Sequence, residues 1–189
     1  MSVQEIAPVI GKLNDISRRF EENFGSLSKA ELNMKISPQD WSIGQCIDHL
    51  TVSNMSYFPQ LRSAASGNPQ SGFWTRMPLL PGMFGKMLKR SVSPDEKKKF
   101  KTMKPIEPSY SDIEAGVVRR FVEVQNELCE LISRLDRTDL QKTIITSPAS
   151  SLITYSLDDL LEILALHEER HFRQAVRTAE HFGLLNSPQ

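Results

Sequence analysis

The stretch Leu160-Leu161-Glu162-Ile163-Leu164-Ala165-Leu166-His167-Glu168-Glu169-Arg170-His171 decides the fold. Its apolar residues recur at three- and four-residue intervals, the mark of an amphipathic helix. His167 and His171 stand four residues apart, so they occupy one face on consecutive turns, with Cβ atoms about 6 Å apart. At 100° per residue, Leu160, Leu164 and Ala175 point in nearly the same direction. The pair therefore faces a bundle interior or its rim rather than open water. Gln174 and Thr178 follow on that face and could supply polar contacts. The helix opens at Ser156, with Asp158 and Asp159 in the first turn, where negative charge suits the helix dipole. It runs to Phe182, with Arg170, Arg173 and Arg177 towards its end, and Gly183 stops it.

Three further segments share this periodicity. The first runs from about Val3 to Phe24, where Ile6, Val9, Ile10, Leu13, Ile16, Phe20 and Phe24 form one stripe and Gly25 is a natural stop. The second begins near Pro38, capped by Ser37 or Asp40. Trp41, Ile43, Ile47, Leu50, Asn54, Tyr57, Phe58 and Leu61 mark its buried side, and it fades in Ala64-Ala65-Ser66-Gly67-Asn68-Pro69. The third opens with a capping-box pattern, Ser111 followed by Glu114, and continues through Val117, Phe121, Val124, Leu128 and Ile132 to about Asp136. Four such helices predict an all-α chain, a single domain over residues 1–189. Short first and third connections favour antiparallel neighbours, hence an up-down-up-down four-helix bundle with a long connection between its second and third helices.

That connection, Ser66 to Tyr110, is too apolar for a plain solvated loop. Phe73, Trp74, Met77, Leu80, Met83, Phe84 and Met87 are expected to pack over one side or end of the bundle, some of them at the approach to the histidines. Pro81 to Arg90 could form a short helix with proline in its first turn. Asp95 to Lys104 is basic and hydrophilic and reads as a solvated face. In the last connection, Thr143-Ile144-Ile145-Thr146 and Leu152-Ile153-Thr154-Tyr155 could pair as a small hairpin.

Composition narrows the function. Lys plus Arg (23) equals Asp plus Glu (23), so net charge is zero and nothing favours nucleic acid, whose binding rests on phosphate neutralisation. No basic-then-apolar leader is present and no run of about 18 apolar residues, so neither secretion nor a membrane span is expected. Two cysteines, Cys46 and Cys129, are too few for a disulfide framework and read as reduced buried thiols of a cytoplasmic protein. Bundles with an apolar outer strip often pair, so a homodimer is expected.

The remaining histidines refine the site. His49 lies beside the apolar stripe of the second helix, flanked by Gln45, Ser53 and Ser56, the polar strip that a partly wet interior site needs. Its bland alternative is a hydrogen-bonded core histidine, and the pair His167–His171 taken alone could be solvent-exposed. Together, three neutral imidazoles suit Zn, Ni, Fe(II) or Cu(II), and a catalytic zinc site with three protein ligands keeps a position for water or substrate. Asp48, Glu168 and Glu169 adjoin the histidines but point about 100° away on the helix, so they read as partners across helices or as solvated charge. Cys46, one turn before His49, reads as a small core residue, and His181 as a surface residue.

Trp41-Ser42-Ile43-Gly44-Gln45-Cys46-Ile47-Asp48-His49-Leu50 resembles the Trp-Ser…His-Leu signature of the DinB-like superfamily. His167-Glu168-Glu169-Arg170-His171-Phe172-Arg173-Gln174 resembles its second signature, His-x-x-x-His-x-x-Gln. The resemblance implies a metal-binding four-helix bundle, with a divalent transition metal, zinc or nickel, on His49, His167 and His171, and with Gln174 contacting a cofactor. Some members of the family transfer low-molecular-weight thiols such as bacillithiol or mycothiol to small electrophiles, and others are described as metal-dependent hydrolases. A metal-dependent thiol S-transferase acting on a small molecule is therefore the expected function. A hydrolase, or a non-enzymatic stress-related bundle with a structural metal, is the alternative.

Overall fold

The computed structural model describes residues 3–68, 80–95 and 112–185. Four long helices make the bundle: α1 (Val3–Phe24), α3 (Ile43–Ala65), α5 (Val117–Ser133) and α6 (Leu157–His181). Between them lie α2 (Lys29–Leu32), α4 (Leu80–Val92) and the strands β1 (Ile144–Ser147) and β2 (Ser150–Ser156). Among the described residues, no helix is long and apolar enough to cross a membrane.

Helix starts follow local chemistry. Ser42 caps α3 through a capping box: its hydroxyl accepts from the Gln45 amide at 3.1 Å, and the Gln45 side chain accepts from the Ser42 amide at 3.2 Å. The expected start near Pro38 is thus corrected. Ser37 and Asp40 close a separate turn, in which the Ser37 hydroxyl donates to Asp40 at 2.7 Å. Ser156 caps α6 as expected, accepting from the Asp159 amide at 3.1 Å. Helix α5 starts at Val117, later than the capping-box reading, with no side-chain cap. Glu114 instead pairs with Lys29 at 2.8 Å, and Ser111 lies outside the described residues.

The four-helix bundle stands as expected, but its directions do not alternate. Helix α1 packs on α5 and α6, as does α3, so α1 and α3 lie on one diagonal. Leu13 and Asn14 of α1 meet Gln125 and Cys129 of α5, while Phe20 meets Phe121, an antiparallel pairing. Gly44 abuts Ile113 at one end of the bundle and Arg62 pairs with Glu127 towards the other, so α3 and α5 are parallel. His49 meets His171, and Tyr57 meets Tyr155 just before α6, so α3 and α6 are antiparallel. The order is up, down, down, up, in place of the expected up-down-up-down.

The physical reason lies in the long connection. Helix α4 runs beside α6 in the same direction: Gly85 lies against Asp159, Lys89 bonds Asp159 and Glu162, and Arg170 donates to the Ser91 and Ser93 carbonyls. A 13-residue helix spans about 20 Å. It carries the chain back along the bundle, so α5 can start at the end where α3 started. There the Asn33 side chain holds Ile113 by two 2.8 Å hydrogen bonds to its backbone.

The expectation for the apolar connection needs correction in part. Met83 and Met87 are exposed, whereas Leu88 and Val92 pack on the core. Phe84 is half-buried. At helical spacing Phe84, Leu88 and Val92 share the inward face, and the two methionines fall on the other. Phe73, Trp74 and Met77 lie outside the described residues, as do most of Asp95 to Lys104 and the side chain of Leu80. The hairpin forms, with Ile145 paired to Tyr155 and its strands reaching one residue (β1) and two residues (β2) further at their inner ends than read from the sequence.

Candidate metal centre

The antiparallel contact of α3 with α6 brings three imidazoles together. Each of His49, His167 and His171 offers a ring nitrogen, and these atoms lie within 4.8 Å of one another. His49 and His167 face each other Nε2 to Nε2 at 3.0 Å. Ring centroids are 4.6 to 4.9 Å apart around the triad. His49 and His171 are buried and His167 is half-buried, so the group is open on the α6 side only in part. His181 is exposed, as read from the sequence.

The donor set fits a divalent metal. Tetrahedral Zn–N bonds of about 2.1 Å place ligand nitrogens about 3.4 Å apart, within the span these atoms show. Two ring nitrogens at 3.0 Å repel unless a proton or a cation lies between them. The Nδ1 atom of His171 is buried with no hydrogen-bond partner, a state that native interiors rarely tolerate without an ion or water. Burial pushes the pKa values of His167 and His171 well below the usual histidine range, and the neighbouring imidazoles and Arg170 push the same way. Both rings are therefore neutral at pH 7, the form that binds metal.

Trp41 covers the triad. Its ring stacks on His171 at 5.5 Å and 17° and lies 4.9 Å from His49. The Gln174 side chain acts weakly on His171 in the opposite sense to burial. Cys46 stands outside the cluster, and burial raises its thiol to about 12; Cys129 is raised equally, so both remain protonated. Neither serves as a nucleophile at neutral pH.

Glu168, read from the sequence as a cross-helix partner or solvated charge, is fully buried. It accepts from Asn54 at 2.9 Å and from Gln125 at 2.6 Å, while burial raises its carboxyl to about 8. A signal was available: Glu168 falls seven residues after Leu161 and four after Leu164, on the apolar side. Gln125 carries no comparable signal in the sequence, because its partners lie on other helices. Glu169 behaves as a charge at the edge, bonded to Arg19 and Arg173 at 2.8 Å each.

The DinB superfamily profile matches residues 13–175, which span both signatures and most of the bundle. The chain belongs to the DinB superfamily. It is 26% identical over 149 residues to YuaE, an uncharacterised protein of Bacillus subtilis (strain 168), covering 78% of this chain and 83% of that one. Among solved structures it is similar to YfiT of Bacillus subtilis, described as a probable metal-dependent hydrolase with an unusual four-helix bundle topology. That likeness has a TM-score of 0.59 and 12% identity, covers 97% of this chain and 90% of YfiT, and speaks to the fold.

Proposed function

We propose that this DinB superfamily member holds a divalent transition metal, zinc or nickel, on His49, His167 and His171, and works as a cytoplasmic thiol S-transferase on a small electrophile. The observation that carries the reading is the set of three imidazole nitrogen donors at one half-open point of the bundle, with His167 and His171 held neutral by burial. Neutral ligands leave the full dipositive charge of the ion for a fourth, anionic partner, and such an ion supplies Lewis-acid activation of a coordinating thiol or water. His171 stacks its ring on Trp41 and His49 lies tilted against it, so the indole covers that side of the triad. Gln174, one turn beyond His171, would contact the bound thiol cofactor.

The carboxylates of α6 beside the triad are committed elsewhere: Glu168 to two amides and Glu169 to two arginines. Water attack needs a proton acceptor, whereas a thiol ionises readily on a metal. This favours thiol transfer. The likeness to YfiT favours the second reading, a metal-dependent hydrolase. The test is an assay of protein purified without a histidine tag and loaded with zinc or nickel. Turnover of an electrophile that requires a low-molecular-weight thiol and is lost in His49→Ala supports transfer. Cleavage of an ester or amide without thiol supports hydrolysis instead.

A further inference from the structure

The core is divided. One cluster holds Leu13, Tyr57, Leu128 and Ala165; the other holds Ile16, Leu50, Phe121 and Phe172. Between them, on all four bundle helices, lies a polar layer. Gln125 Nε2 donates to the Leu13 carbonyl at 3.2 Å and to Glu168 Oε2 at 2.6 Å. Gln125 Oε1 accepts from Asn54 Nδ2 at 3.0 Å, which also donates to Glu168 Oε1 at 2.9 Å. Asn54, Gln125 and Glu168 are all fully buried.

One backbone atom sets the sense of every bond. The Leu13 carbonyl can only accept, so Gln125 must turn its amide nitrogen to it. The Gln125 oxygen then faces Asn54, which must present its nitrogen. That nitrogen and the Gln125 nitrogen each have one hydrogen left, and both aim at residue 168. Position 168 therefore needs two acceptors side by side, which a carboxyl group offers and a glutamine amide does not. The same logic leaves Asn54 Oδ1 facing away, and it is buried without a partner. An apolar layer would fill this space with less desolvation, and exchanging buried polar groups for apolar ones is often neutral or stabilising. What a hydrogen-bonded layer adds is a single relative setting of the helices, as a buried asparagine does in coiled coils.

We infer that Asn54, Gln125 and Glu168 are positioning residues that fix the rotation of α6 against α3 and so aim His167 and His171 at His49. The inference rests on the metal-centre reading above. Glu168 sits on the turn between the two α6 ligands, about 100° from His167 and about 60° from His171 around the axis. A 10° rotation moves an atom 5–6 Å from a helix axis by about 1 Å. Metal–ligand distances tolerate about 0.2 Å, so a loosely set helix would scatter the ligands beyond what one ion accepts.

The experiment titrates Co(II) into metal-free protein and records affinity and the visible ligand-field spectrum. It compares the parent with Glu168→Gln and with the combined Asn54→Leu, Gln125→Leu, Glu168→Leu variant, alongside thermal unfolding. Glu168→Gln keeps size but sets donor against donor, and is expected to bind Co(II) at least about tenfold more weakly with an altered spectrum. The triple variant leaves no polar group of the layer unpaired. It is expected to unfold at or above the parental temperature yet show the same spectral change. A folded variant with parental affinity and spectrum overturns the inference. So does weaker binding with a parental spectrum, which would mark a charge acting at a distance. If the parent itself binds no Co(II), the metal-centre reading fails and takes this one with it; a parent that binds beside unchanged variants sinks the positioning role alone.

Discussion

His49 Nε2 and His167 Nε2 stand 3.0 Å apart across the interface of two antiparallel helices, 118 residues apart in the chain. His49 comes from the second turn of α3 and His167 from the middle of α6. Neither helix can aim a ring there without the other, and the i, i+4 partner His171 completes the triangle from its own turn. The site is thus a property of the α3–α6 packing, which is why substitutions in the interface and at the ligands have separable signatures.

Trp41 is placed to report occupancy. Its ring touches two of the three imidazoles. Adding Cu(II) to metal-free protein is expected to quench indole emission, and Trp41→Phe to abolish most of the saturable quench. The sequence holds one other tryptophan, Trp74, which supplies the emission that remains in Trp41→Phe. An undiminished saturable response in Trp41→Phe would remove Trp41 from the neighbourhood of the ion.

Protonation gives a signed test on metal-free protein. His167 and His171 have pKa values lowered on folding, so the unfolded chain binds more protons as pH drops below about 6.5, and stability falls towards acid. Glu168 has the opposite sign. Its pKa rises from 4.5 to about 8 on folding, so its contribution is full below 4.5 and lost as pH climbs to about 8. Between pH 6.5 and 8 the Glu168 effect acts without the histidine one. Urea midpoints there are expected to decline with pH in the parent and to flatten in Glu168→Gln. A parental decline that persists in the variant would assign it to another group.

Close packing at the end where α3 and α5 begin also makes a prediction. A Cβ on Gly44 would stand 2.9 Å from Ile113 Cβ and 3.1 Å from the Leu32 carbonyl. Overpacking of this kind costs about 1–3 kcal/mol, which exceeds the roughly 1 kcal/mol that alanine gains over glycine in a helix. Gly44→Ala should therefore destabilise by about 1 kcal/mol in denaturant titration. Gly11, with nothing within 4 Å of its Cβ position, is the control, and Gly11→Ala should stabilise by roughly 0.5–1 kcal/mol. Equal shifts of the same sign would refute the contact at Gly44.

Helices α1 and α6 were legible to within a residue or two because their apolar stripes are regular and their ends carry Gly25, Ser156 and Gly183. The start of α3 was misplaced because Ser37 and Asp40 form a turn with the same residue types as a cap, five residues before the true cap at Ser42. The site histidines were legible through the inward i, i+4 pair and a third histidine in a polar strip. Helix directions were not, because no local feature records that α4 runs back beside α6; Gly85, whose added Cβ would clash with Asp159 Oδ2, shows its meaning only in the fold. Glu168 was legible as a partner across helices but its full burial was not, because a charged type suggests solvent until Asn54 and Gln125 are seen to reach it.

Metal content of protein purified without a histidine tag tests the central claim most directly. The account predicts close to one divalent transition metal per chain by elemental analysis, lost or sharply reduced in both His49→Ala and His171→Ala while the helical circular dichroism is retained. Unchanged stoichiometry in both variants would contradict a centre shared by His49, His167 and His171.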